Sequence, residues 1–180
     1  MPLTLTFLCD KIFSMEKEVK IKLISRIYDL QESENIEKYI SEHPGYTQDD
    51  ISTKIELSCK GLLKTEDGRL SLIYKEPEAE GLGDTQTQIS FEQTDPETVC
   101  LYRTGDIRSD LVFNAQAGRK TCLYQTELLP FELSIVTRKL VNRLHESGGT
   151  LHLDYKIEIN SMNVERTVLD LMVRALGDGA

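Results

Sequence analysis

The chain has 180 residues, 39% of them hydrophobic and 28% charged, which suits one globular domain burying roughly 70% of its unfolded surface. Thirty acidic residues against 21 basic ones leave a formal net charge of -9. A surface that acidic repels phosphate backbones and anionic headgroups, so nucleic acid and membrane surfaces are set aside as partners.

Residues 1–17 read as an N-terminal extension. Leu3 to Cys9 is apolar but has no basic stretch before it, and Met15 is a natural start that leads straight into the first strand. From Val19 to Ile27, Val19, Ile21, Leu23 and Ile27 alternate with Lys20, Lys22 and Arg26, the period of a strand with one wet face. Gln31 to Asp50 breaks that period. It reads as an inserted connection with a short helix over Ile36–Ile40 and a stop at His43-Pro44-Gly45, first of all a solvated surface loop and alternatively a lid over one end of the sheet.

Ile55, Leu57, Cys59 and Leu63 give the second strand, with Gly61 at a bend or bulge. Asp67-Gly68 is a two-residue hairpin signal leading into Leu70–Tyr74. A loop over Glu76–Asp84 precedes a strand over Thr85–Gln93. Turns at Asp95-Pro96, Gly105-Asp106 and Ala117-Gly118 introduce strands over Val99–Thr104, Ile107–Phe113 and Thr121–Leu128. Phe131 to Ile135 alternates, and the phase slips near Arg138 before resuming at Leu140. A bulge explains the slip, and a short helix over Val136–Leu144 is the competing assignment. Ser147-Gly148-Gly149 closes a hairpin into the unbroken alternation Leu151–Ile159, and Asn160–Asn163 turns into the last strand, Val164–Ala175. Residues 177–180 read as a frayed tail.

About ten strands at hairpin spacing, with no strand-helix-strand alternation, predict an all-β fold. The expected architecture is a single antiparallel barrel of eight to ten strands over residues 18–176, closed so that no edge strand is left. Leu57, Ile73, Ile89, Leu101, Leu123, Leu133, Leu153 and Leu171 are the candidates to fill its interior. Cys59, Gly61 and Thr137 are small residues that would leave room.

Arg103 shares a strand phase with Val99 and Leu101, so it is expected to point inward, where a guanidinium needs a partner or a wet cavity. Two readings are open: Arg103 anchors the carboxylate of a ligand, or it pairs with a buried acid, Glu76, and closes one end. Tyr155 lies in an apolar phase, and Tyr74 and Tyr124 are read the same way, each an aromatic body with one hydroxyl. Arg103, Tyr74, Tyr124, Tyr155 and Glu76 are therefore the candidate ligand-binding residues. His152 alternates with Leu151 and Leu153 and should face water.

No catalytic constellation assembles from His43, His145 and His152, so an enzyme reading has no positive support. Cys9, Cys59, Cys100 and Cys122 form no C-x-x-C pair, which gives no support for zinc and suits reduced thiols in the cytoplasm. Gly81-Leu82-Gly83 leads into a strand rather than a helix, so it lacks the free N–H groups of a phosphate site. No cofactor is expected.

The segment with Glu76, Gly81-Leu82-Gly83-x-Thr85-x-Thr87, Arg103-x-Gly105, Phe113 and Tyr124-x-Thr126 resembles the YwiB-like family of uncharacterised bacterial proteins. So does the run from Phe131-Glu132-Leu133-x-x-x-Thr137-x-x-Leu140 through Gly149-x-Leu151-x-Leu153-x-Tyr155. The resemblance implies a calycin-like barrel, similar to lipocalins, and by analogy ligand binding. Together with the inward Arg103 it gives the first reading, a non-catalytic binder of a small, partly apolar molecule with a carboxylate to meet that arginine. The alternative from another class is a closed-core scaffold acting through protein contacts as a homodimer. Interior volume separates the two.

Overall fold

The structure, a computed structural model, describes residues 14–29, 41–42, 45, 52–76, 84–126 and 130–176, apart from the Asn163 side chain. Ten strands account for nearly all of them: β1 (Met15–Asp29), β2 (Thr53–Glu66), β3 (Arg69–Lys75), β4 (Thr85–Glu92), β5 (Asp95–Gly105), β6 (Arg108–Phe113), β7 (Arg119–Gln125), β8 (Pro130–Asn142), β9 (Gly148–Ile159) and β10 (Met162–Ala175). Each is hydrogen-bonded antiparallel to its neighbours in sequence, and β1 closes on β10. The result is the expected all-β closed antiparallel barrel, an up-and-down meander of the calycin-like kind with ten strands. The short helix over Ile36–Ile40, and most of the inserted connection, lie outside the described residues. Its two flanking strand ends, Asp29 and Thr53, both sit at the same end of the barrel.

Turn chemistry fixes the registers. Asp67 and Gly68 have φ of 49° and 79°, the paired positive values of a two-residue turn whose twist matches a hairpin. Asn160 and Ser161, at 52° and 64°, make the same turn between β9 and β10. The β4–β5 turn is Gln93-Thr94, flanked by the Glu92–Asp95 pair, not the expected Asp95-Pro96. Pro96 lies inside β5 at a step where neither ladder uses it, so its missing N–H costs no bond there.

Near Arg138, β8 continues as a strand through a register shift between Thr137 and Lys139, and the competing helix does not form. Gly61 sits in a regular register with both neighbours, so it marks close packing instead of a bulge. A Cβ there would meet Ile21 Cδ1 at 2.5 Å and the Ile73 carbonyl oxygen at 2.7 Å.

The inward faces divide the barrel in two. Val19, Ile21, Leu70, Leu72, Ile89, Val99, Phe113, Leu151, Leu153 and Leu171 are almost wholly shielded and plug the half nearest the β2–β3 and β8–β9 turns. Six of the eight residues expected to fill the interior do point inward. Ile73 and Leu123 do not: each stands beside an inward tyrosine (Tyr74, Tyr124) and so faces out, leaving Leu123 58% exposed. The other half of the barrel is open.

Candidate functional site

The open half is a cup of about 400 Å³. Its walls are largely apolar, from Leu23, Leu57, Leu101, Leu133, Ile157 and Leu169 among others, and a few polar groups converge in it. That composition is the usual one for a small-molecule site. All five residues singled out from the sequence, Arg103, Tyr74, Tyr124, Tyr155 and Glu76, line this one cavity.

Strand register explains why they meet. Tyr74 of β3 is paired with Thr87 of β4, Thr87 with Arg103 of β5, Arg103 with Ser109 of β6, Ser109 with Tyr124 of β7, and Tyr124 with Phe131 of β8. Register partners project to the same face, so these six side chains form one inward level around more than half the wall. On the remaining side Thr137, Tyr155 and Thr167 are partners across β8, β9 and β10. The Tyr155 ring packs against Phe113 of the plug, with centroids 4.8 Å apart, and Tyr124 packs on Phe131 at 5.2 Å. Both rings are thereby fixed rather than free to swing through the cup.

Arg103 brings a guanidinium into this cup. Its Nε is buried with no hydrogen-bond partner, and no ion pair of its guanidinium occurs among the described residues. The Oγ of Ser109, its neighbour across the ladder, is buried and unpartnered too. Of the two readings of Arg103, the pair with Glu76 is not what forms. Glu76 Oε1 instead accepts a hydrogen bond from Thr87 Oγ1 at 2.7 Å.

A second acid, Glu165 of β10, lines the cup and accepts from Thr167 Oγ1 at 2.8 Å. Burial pushes the Tyr74 hydroxyl far above its ordinary value, and Glu76 adds to this while Arg103 opposes it. Burial raises Tyr155 likewise, against the pull of Arg103 and of the Thr167 hydroxyl. Both phenols are therefore neutral at physiological pH and can donate or accept a hydrogen bond. Burial, then Glu76, lifts the Cys59 thiol, and burial, then Asp110, lifts Cys122 to about 11, so neither is a thiolate at neutral pH.

Ser109, Thr87, Thr167 and Glu165 escaped the sequence reading. The signal was the one that picked out Arg103: a polar residue in an apolar phase. Glu165 and Thr167 share theirs with Leu169 and Leu171, and Ser109 shares its with Leu111 and Phe113. His152 faces outward as expected and is hydrogen-bonded to Asp170 at 2.8 Å, away from the cup.

No curated protein matches the chain. Its structure is similar to the crystal structure of the ywiB protein from Bacillus subtilis. The TM-score is 0.62 at 17% sequence identity, over 87% of this chain and 92% of that one. At that identity the likeness is one of fold. Residues 40–171 match the family model described as "Domain of unknown function (DUF1934)". A match over so much of the chain, together with the shared barrel, bears out the resemblance drawn from the residues: the chain belongs to the DUF1934 family of YwiB-like β-barrel proteins.

Proposed function

We propose that the protein is a non-catalytic binder of a small, partly apolar molecule whose anionic group, a carboxylate in the simplest case, meets Arg103 in the cup. One observation carries this reading: a cationic side chain stands in an apolar cavity with a buried N–H unpaired and no carboxylate partner among the described residues. An unmet buried donor costs about 1–3 kcal/mol, and a bound acceptor restores that bond while forming a charge-assisted one. The unpartnered Ser109 hydroxyl beside it supplies a second donor, and Tyr74 and Tyr155 offer neutral hydroxyls on either side. The apolar walls take the rest of the molecule, and a cup of about 400 Å³ lies within the size range of small-molecule sites.

Four cysteines dispersed along the chain fit a reducing compartment, so we place the binder in the cytoplasm. Among the described residues, no helix is long and apolar enough to cross a membrane.

Gentle native mass spectrometry of the protein as purified from cells tests the reading. A stoichiometric small molecule, released on denaturation and carrying an acidic group, is the expected result. A bare dimer would move the weight to the homodimeric scaffold instead, and a bare monomer would leave neither supported.

A further inference from the structure

The cup holds more charge than an acid-binding pocket requires. Among the described residues Arg103 is its one cation, yet Glu76 and Glu165 also line it. Each acid uses a single oxygen internally, Oε1 toward Thr87 and Oε1 toward Thr167. The Oε2 atoms make no hydrogen bond among the described residues. Glu76 is held by Thr87, the ladder partner of Arg103, whereas Glu165 is held by Thr167, the ladder partner of Tyr155, on the opposite wall. The cup thus has one acid near Arg103 and a second acid across from it.

A ligand with a single carboxylate satisfies Arg103 but brings a third acid into a largely apolar cup, where like charges repel more than they do in bulk water. A simple amine satisfies an acid and leaves Arg103 and Ser109 without an acceptor. We infer that the natural ligand is a zwitterion: an apolar body bearing both an anionic group, held by Arg103 and Ser109, and an ammonium group, held by Glu165 or Glu76. This deepens the proposed binding function and rests on it. Discrimination should be sharp, since an analogue lacking either charged group leaves a protein charge desolvated and unpaired.

Two sets of probes with matched apolar bodies test this by calorimetric titration. One is L-phenylalanine, 3-phenylpropanoate and 2-phenylethylamine; the other is L-2-aminooctanoate, octanoate and heptylamine. The expected result is that the amino acid of at least one set binds ten-fold or more tightly than both its singly charged relatives. Arg103→Met should then reduce it to the level of the amine, and the pair Glu165→Gln with Glu76→Gln should reduce it to the level of the carboxylate. Thermal melts of the variants confirm that they are folded.

If the carboxylate binds as tightly as the amino acid, or if the double glutamine variant keeps full affinity for the amino acid, the zwitterion inference is overturned and the acid-binding reading stands. Binding by none of the six also overturns it. The acid-binding reading itself then falls only if mass spectrometry finds the protein bare as well.

Discussion

Ser161 has a φ of 64° in an exposed two-residue turn, a conformation that costs an L side chain about 1 kcal/mol and glycine almost nothing. Ser161→Gly should therefore leave the β9–β10 register intact and raise stability by about 0.5–1 kcal/mol, read as a higher urea midpoint at unchanged slope. Gly61 is the opposite case. Its backbone is unstrained, but the Ile73 carbonyl and the Ile21 side chain occupy the space a methyl would need. Gly61→Ala should lower stability by about 1–3 kcal/mol, and a variant that melts like wild type would show that the wall gives way more easily than close packing allows.

These two residues also show what a single sequence can and cannot convey. Asp67-Gly68 announces its turn because few residues tolerate two successive positive φ values. Asn160-Ser161 announces the same turn more faintly. The role of Gly61 depends on which side chains face it across two ladders, and no local pattern contains that information.

At the scale of elements, strand existence was legible and strand phase was legible only where the outer face is polar. β9 alternates cleanly and its inward set, Leu151, Leu153 and Tyr155, follows directly. β3 and β7 carry apolar groups on both faces, so Ile73 and Leu123 competed with Tyr74 and Tyr124 for the inside. The tyrosines won because the register puts them beside Thr87 and Ser109 at the level of the cup. Glu165 was missed for a related reason: an acid at the start of a strand normally reads as solvated.

β9 and β10 are further tied on their outer face by Asp154 and Arg166, whose Nε and terminal nitrogen each donate to one carboxylate oxygen at 3.0 Å. The Arg166 guanidinium also lies 5.2 Å from the centre of the Tyr28 ring on β1, joining three strands. Burial alone would raise the Asp154 carboxyl, but the hydrogen bonds and charge of Arg166 outweigh it and hold it below the ordinary 3.8. A depressed folded value gives stability that is fully present above the unfolded value and lost as pH falls through the folded one. Asp154→Asn should then cost about 1 kcal/mol at neutral pH, with the gap to wild type closing below about pH 3.8 in parallel acid titrations. A gap that stays constant into acid would mean that shape rather than charge joins these strands.

For the whole molecule, the ten strands enclose a lumen wider than side chains of this size fill throughout, and the chain resolves this by plugging one half and leaving the other open. Sequence patterning predicted closure and six of the eight interior residues, missing at Ile73 and Leu123. It did not reveal where along the axis the packing stops, because that depends on the stagger of all ten strands together. The same stagger carries Arg103 above the plug without an ion-pair partner among the described residues, which is the position the proposed binding function draws on.

The melting temperature of ligand-free Arg103→Met, compared with ligand-free wild type, tests that claim most directly. If the guanidinium faces an open cup, its loss removes an unpaired charge and the variant melts at the same temperature or higher, while ligand binding weakens ten-fold or more. If Arg103 is half of a structural ion pair, the change strands the partner charge at a cost of about 3–5 kcal/mol, and a fall of roughly ten degrees would contradict the account.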